Sequence, residues 1–90
     1  MADVTDNPAL NRFELSTGAG TAISEYRLRD GVLEIRHTEV PEELEGQGIG
    51  SRLARGVLEA ARARGLKVVA KCPFIAGYIG KHAEYQGLLK

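Results

Sequence analysis

Three glycines at alternate positions, Gly46-Gln47-Gly48-Ile49-Gly50, stand where the chain changes its hydrophobic rhythm. Upstream, apolar residues recur every second position, the period of a half-buried strand. Downstream, Leu53, Ala54, Val57, Leu58 and Ala61 recur at helical spacing, with Arg52, Arg55, Glu59 and Arg62 on the opposite side. Strands that run into a helix through a glycine turn exclude an all-helical bundle and an all-β sandwich. What remains is a mixed α/β domain, and 90 residues are enough for one compact core.

Upstream, Phe13 and Leu15 alternate with Arg12 and Glu14, which predicts a strand over 11–16. Residues 21–29 alternate again with one slip of phase, the mark of a bulge. Asp30-Gly31 then joins this run to the next, and Asp-Gly is a strong hairpin signal because a type I′ turn needs positive φ at both positions. Residues 32–40 alternate cleanly. Leu33, Ile35, His37 and Glu39 fall on one face by parity, and Val32, Glu34, Arg36, Thr38 and Val40 on the other. Downstream, the helix is expected over 51–64, with Gly65 as its stop. Residues 66–70 read as a short buried strand, and Pro73 opens a second helix packed through Phe74, Ile75, Tyr78 and Ile79. His82 falls within that helix, and residues 84–90 read as a closing turn or irregular tail. Residues 1–10 read as a polar lead. The expected order is β-β-β-α-β-α, an α+β type of α/β domain. Its three-strand antiparallel sheet gains a fourth strand after a crossover helix.

A glycine-rich turn at a helix N-terminus brings backbone N–H groups and the positive end of the helix dipole to one place, which suits a phosphate. Equally, the glycines could serve only a turn that needs unusual φ. The P-loop pattern is absent, since Ser51 follows Gly50 with no Lys, and the dinucleotide pattern GxGxxG fails because the third glycine comes one residue early. Charge favours an anion. Lys plus Arg equals Asp plus Glu at twelve each, yet residues 1–50 carry ten acids and four bases, and residues 51–90 two acids and eight bases. The overall neutrality speaks against a general nucleic-acid or membrane-surface binder. One Cys gives no internal disulfide, the N-terminus has no apolar run and no segment is long enough to span a bilayer, so the expectation is a cytoplasmic protein. No Cys or His spacing suggests a metal site. Cys72 precedes the helix opened by Pro73, with Lys71 beside it, and both settings favour the thiolate. By strand parity His37 faces a cleft and suits a proton acceptor, with Glu39 to orient it or act in its place.

Val40-Pro41 followed by Glu45-Gly46-Gln47-Gly48-Ile49-Gly50-Ser51-Arg52-Leu53 resembles the pyrophosphate loop of the GNAT superfamily of N-acetyltransferases. His37-Thr38-Glu39-Val40-Pro41, the run Val68-Val69 through Cys72-Pro73-Phe74, and Tyr78-Ile79 resemble the small YjdJ-type branch of that superfamily. The likeness spans residues 12–88. It implies acetyl-CoA or coenzyme A as ligand, with backbone N–H groups of Gly46, Gln47, Gly48, Ile49, Gly50 and Ser51 on the pyrophosphate. It implies Arg52, Arg55 and Lys81 near the adenosine phosphate, and Tyr78 near the thioester. The superfamily prefers Arg or Gln where this chain has Glu45. The resemblance further implies transfer to an amine, either directly with His37 or Glu39 as base, or through Cys72 as acyl-accepting nucleophile. A core this short leaves the acceptor pocket shallow, and a second copy of the chain is a candidate for completing it. A coenzyme A-binding module without turnover and an interaction domain whose glycine loop is only a turn are the other readings.

Overall fold

The computed structural model describes residues 4–18, 20–44 and 46–90. Strands β1 (Val4–Asn7), β2 (Arg12–Thr17), β3 (Gly20–Arg29), β4 (Val32–Glu39) and β5 (Lys67–Ala70) form one sheet in the order β1-β2-β3-β4-β5. The first four are antiparallel neighbours; β5 runs parallel to β4. Helix α1 (Ile49–Ala63) makes the crossover that a parallel pair requires, and α2 (Pro73–Lys81) follows β5. The mixed α+β architecture with its crossover helix is the expected one. The hairpin turn at Asp30 (φ 54°) and Gly31 (φ 77°) has the two positive angles its sequence predicts.

The expected polar lead proves to be structure from Val4 onward. Val4–Asn7 pairs with Arg12–Leu15 as an edge strand, and Pro8–Leu10 forms a 3-10 turn that closes on Asn11 in the left-handed region. Polar side chains hold this edge where an apolar count sees nothing. The Tyr26 hydroxyl donates to Asp6 at 2.6 Å and the Arg64 guanidinium meets the same carboxylate at 3.2 Å. Val4 packs against Gly56 of α1, so closely that a Cβ added to that glycine would overlap it. Of the two readings of residues 84–90, the closing turn is the one found: Ala83–Leu88 form a 3-10 helix that buries Tyr85, and Leu89 bridges to Val68. The Tyr85 hydroxyl donates to Glu59 at 2.6 Å. His82 caps α2 instead of lying inside it, its Nδ1 2.8 Å from the Tyr78 carbonyl and its ring stacked on Tyr78.

One face of the sheet is covered and the other is open to water, as antiparallel sheets allow. Phe13, Leu15, Ala22, Tyr26, Leu33, Ile35 and Val68 join the apolar faces of α1 and α2 in a single core. The slip of phase lies at the β3–β4 pairing. Tyr26 faces Ile35 and Glu25 faces His37, so Arg36 is an extra residue in β4. That bulge reverses the parity beyond it. Ser24 and Thr38, rather than His37, continue the inward face; His37 and Glu39 project with Glu25 from the exposed one. Their expected place beside Leu33 and Ile35 is therefore corrected: alternation was counted straight through an inserted residue.

Candidate active site

The glycines of the loop meet two demands, one of the backbone and one of packing. Gly46 (φ 84°) and Gly48 (φ 75°) occupy the left-handed region, where a Cβ is strained, and Gly48 is the N-cap of α1. Gly50 has ordinary φ but lies under an aromatic ring: an added Cβ would sit 2.8 Å from Cζ of Phe74. The helix starts at Ile49, two residues earlier than its apolar spacing suggests, and its N-cap Gly48 has no side chain to bond the first turn. The N–H groups at the start of a 15-residue helix and the positive end of its dipole suit an anion. Gln47 folds back, its side chain donating to the Glu43 carbonyl at 3.2 Å. Glu45 lies outside the described residues. Val40 packs against the edge of the core, whereas Ser51, Arg52 and Arg55 are exposed along the first turns of α1.

Phe74 ties this loop to the thiol, since it follows Cys72 by two residues and covers Gly50. Cys72 is the N-cap of α2 and is 4% exposed. The β4–β5 ladder ends at Ile35 and Ala70, after which the N–H groups of Lys71 and Cys72 both donate to the Ile35 carbonyl, at 2.9 and 3.2 Å. Side-chain contact takes over from there. Burial pushes the Cys72 thiol up, but hydrogen bonds from the Thr38 hydroxyl and from the backbone of Ile75, Phe74 and Thr38 pull it down, and they prevail. The sulfur is left below the ordinary thiol value. Lys71, expected to help, is not among the causes; its Nζ extends to Glu34 at 3.9 Å.

The remaining predicted residues separate into two groups. His37 Nε2 lies 3.0 Å from Glu39 Oε2, an exposed pair on the outer face. A shallow depression lined by Arg36, His37, Glu25, Tyr26, Asn11 and Leu10 opens beside it. Tyr78 is half-buried between His82 (centroids 3.9 Å apart) and Tyr85 (6.2 Å apart). Burial raises its hydroxyl pKa, and the positive charge of Arg55 opposes that rise, which sets Tyr78 and Arg55 within electrostatic reach across α2 and α1. Lys81 is exposed on the last turn of α2. Ser24 and Thr38 escape a reading that seeks apolar residues for the core and charged ones for the site. The bulge at Arg36 turns Thr38 inward, and the clean alternation of residues 32–40 gives no sign of it.

A family model of GCN5-related N-acetyltransferases matches residues 12–88. The chain belongs to this family. In the GCN5-related fold, the solution structure of a GCN5-like candidate N-acetyltransferase from Staphylococcus aureus is similar, with a TM-score of 0.73 and 32% sequence identity. The likeness covers 99% of this chain and 88% of that one. A comparison with curated proteins finds no match. Membership in the GCN5-related family supports acetyl transfer as the general activity. No helix among the described residues is long and apolar enough to cross a membrane.

Proposed function

We propose that this GCN5-related protein binds acetyl-CoA across the start of α1 and passes its acetyl group to an amine through Cys72. The observation that carries this reading is the contact of Phe74 with Gly50, which brings the helix bearing the thiol against the glycine loop. Backbone N–H groups at the start of α1, with the positive end of its dipole, serve the pyrophosphate. Arg52, Arg55 and Lys81 answer the remaining phosphate, and Tyr78 flanks the same surface.

In the first step the Cys72 thiolate attacks the acetyl carbonyl. A new S–C bond forms, the S–C bond to coenzyme A breaks, and coenzyme A leaves as a thiolate that takes up a proton from solvent. In the second step a neutral amine attacks the Cys72 thioester. The amide bond forms, the Cys72 S–C bond breaks and the amine proton passes to solvent or to the departing sulfur. Backbone N–H groups at the start of α2 stabilise the sulfur as an anion in both steps.

Direct transfer is the second reading, favoured by the 3.0 Å His37–Glu39 pair, in which either residue draws the proton from the amine. A shallow acceptor site at the outer edge admits an amine of either small-molecule or protein origin, and a second copy of the chain could wall it. The test is thermal unfolding with acetyl-CoA, ATP and NAD at equal concentration. Acetyl-CoA is expected to raise Tm most. Equal shifts for all three, or none, would overturn coenzyme A binding.

A further inference from the structure

We infer that the depression beside the His37–Glu39 pair binds an amine that also carries a carboxylate, a ligand of the amino acid class. The inference names the acceptor and rests on transfer of the acetyl group to an amine, as proposed above. Leu10, Asn11, Glu25, Tyr26, Arg36 and His37 line the depression. Two departures from regular backbone meet in it. The 3-10 turn Pro8–Leu10 closes on Asn11 at φ 52°, and the Asn11 carbonyl accepts from the Tyr26 N–H at 2.9 Å. From the other side, the bulge of β4 adds Arg36. Successive residues of a regular strand point to opposite faces, but the bulge brings Arg36 and His37 to one depression.

The charges in this depression are left unmatched. Glu25 faces Arg12 on β2 and His37 on β4, and cross-strand neighbours of opposite charge ordinarily pair. Both are committed elsewhere: Arg12 Nε to Glu14 at 2.7 Å, and His37 Nε2 to Glu39 at 3.0 Å. Arg36 lines the same depression, yet it makes no ion pair with Glu25 or with any other described residue. A carboxylate and a guanidinium thus stand in one depression, farther apart than an ion pair allows. A ligand with charges of both signs matches them, its ammonium on Glu25 and its carboxylate on the planar fork of Arg36. Leu10, 56% exposed, gives the rim an apolar place for a side chain. An ammonium held by Glu25 also lies beside His37, directly across the ladder. With Nε2 donating to the Glu39 carboxylate, the neutral ring keeps its lone pair on Nδ1, where it can take the proton that the ammonium must lose.

The experiment is an amide NMR titration of the wild-type protein, with and without coenzyme A, using three probes of similar shape. L-Leucine carries both charges, leucinamide only the ammonium and 4-methylpentanoate only the carboxylate. L-Leucine is expected to shift the amides of Asn11, Glu25, Arg36 and His37. Each single-charge probe should bind about tenfold more weakly, the scale of one charge-assisted hydrogen bond. Arg36→Gln should abolish the preference for leucine over leucinamide, and Glu25→Gln the preference over 4-methylpentanoate. Both side chains are exposed, so the fold should persist. Leucinamide binding as tightly as leucine would mean that a peptide N-terminus suffices, and would overturn the proposal. Leucine shifts confined to other residues, or absent with and without coenzyme A, overturn it equally. Should a variant fail to fold, the three probes on wild type decide the matter by themselves. The titration follows no acetyl transfer, so a flat response removes the amino acid site alone. Failure of wild type to respond to acetyl-CoA in the thermal test removes the coenzyme A reading instead.

Discussion

Gly56→Ala sets two effects of similar size against each other, and the structure determines which wins. In an exposed helix interior, alanine is favoured over glycine by about 1 kcal/mol. Gly56 lies on the eighth residue of α1, so propensity alone predicts a more stable protein. The added Cβ, however, would overlap Val4, reaching its branched Cβ as well as both methyls. A side-chain rotation cannot clear a clash with Cβ, so β1 itself must retreat. Overpacking of this kind costs roughly 1–3 kcal/mol. Retreat also strains the Asp6 carboxylate, which meets Tyr26 at 2.6 Å and Arg64 at 3.2 Å. The expected net effect is a loss of up to about 2 kcal/mol, from the overpacking cost less the helix gain. For a domain of this size that lowers Tm by up to about 16 °C. Thermal and urea unfolding of Gly56→Ala measure the loss; Val4→Gly and the double variant isolate its source. With Val4 reduced to glycine the overlap vanishes, and Gly56→Ala should then stabilise by up to about 1 kcal/mol. Gly56→Ala stabilising the wild-type background would refute the packing of β1 on α1.

Three further outcomes follow from the same geometry. Gly48→Ala forces an alanine to φ 75° with no steric neighbour within 4 Å, so it should lose roughly 1–2 kcal/mol from backbone strain alone and also reduce the acetyl-CoA-dependent rise in Tm. Gly50→Ala meets only the ring of Phe74, which is 44% exposed and free to swing, so it should cost little stability while weakening acetyl-CoA binding by displacing that ring; calorimetry and unfolding together check the split. Tyr26 and Tyr85 are both pushed up to about 12 by burial and by donation to Asp6 and Glu59, so their contribution is complete below the unfolded tyrosine value near 10 and is lost as pH rises toward about 12. Tyrosinate absorbance should show both ionising late, with unfolding stability declining over that window; two ordinary titrations would contradict these bonds.

The sequence makes legible whatever depends on local spacing. The helical stripe from Leu53 to Ala61 is buried as expected, and Asp30-Gly31 turns as its residue types require. Cys72 and Pro73 mark the cap and first residue of α2. Contacts between distant segments are harder to read. Val4–Asn7 is too short and polar to announce a strand; what orders it lies far along the chain in Gly56 and Arg64, the latter 58 residues from Asp6. The face of His37 was misread for a comparable reason. A bulge residue is defined by what it fails to pair with, and Arg36 looks like any other member of an alternating run. Thr38 thereby gained the inward face that parity had given to His37. The glycine loop lies between these cases. Its need for positive φ at Gly46 and Gly48 follows from residue type, whereas the reason for Gly50 is a ring 24 residues further along.

The most direct test of the proposed transfer is whether Cys72 carries the acetyl group. Incubation with acetyl-CoA, followed by peptide mapping by mass spectrometry, should find one acetyl group on Cys72 that disappears when an acceptor amine is added. Cys72→Ala should then take up no label and lose transfer while retaining the acetyl-CoA-dependent rise in Tm. An unlabelled wild-type Cys72, together with undiminished transfer by Cys72→Ala, would contradict the thiol route and leave direct transfer at the His37–Glu39 side.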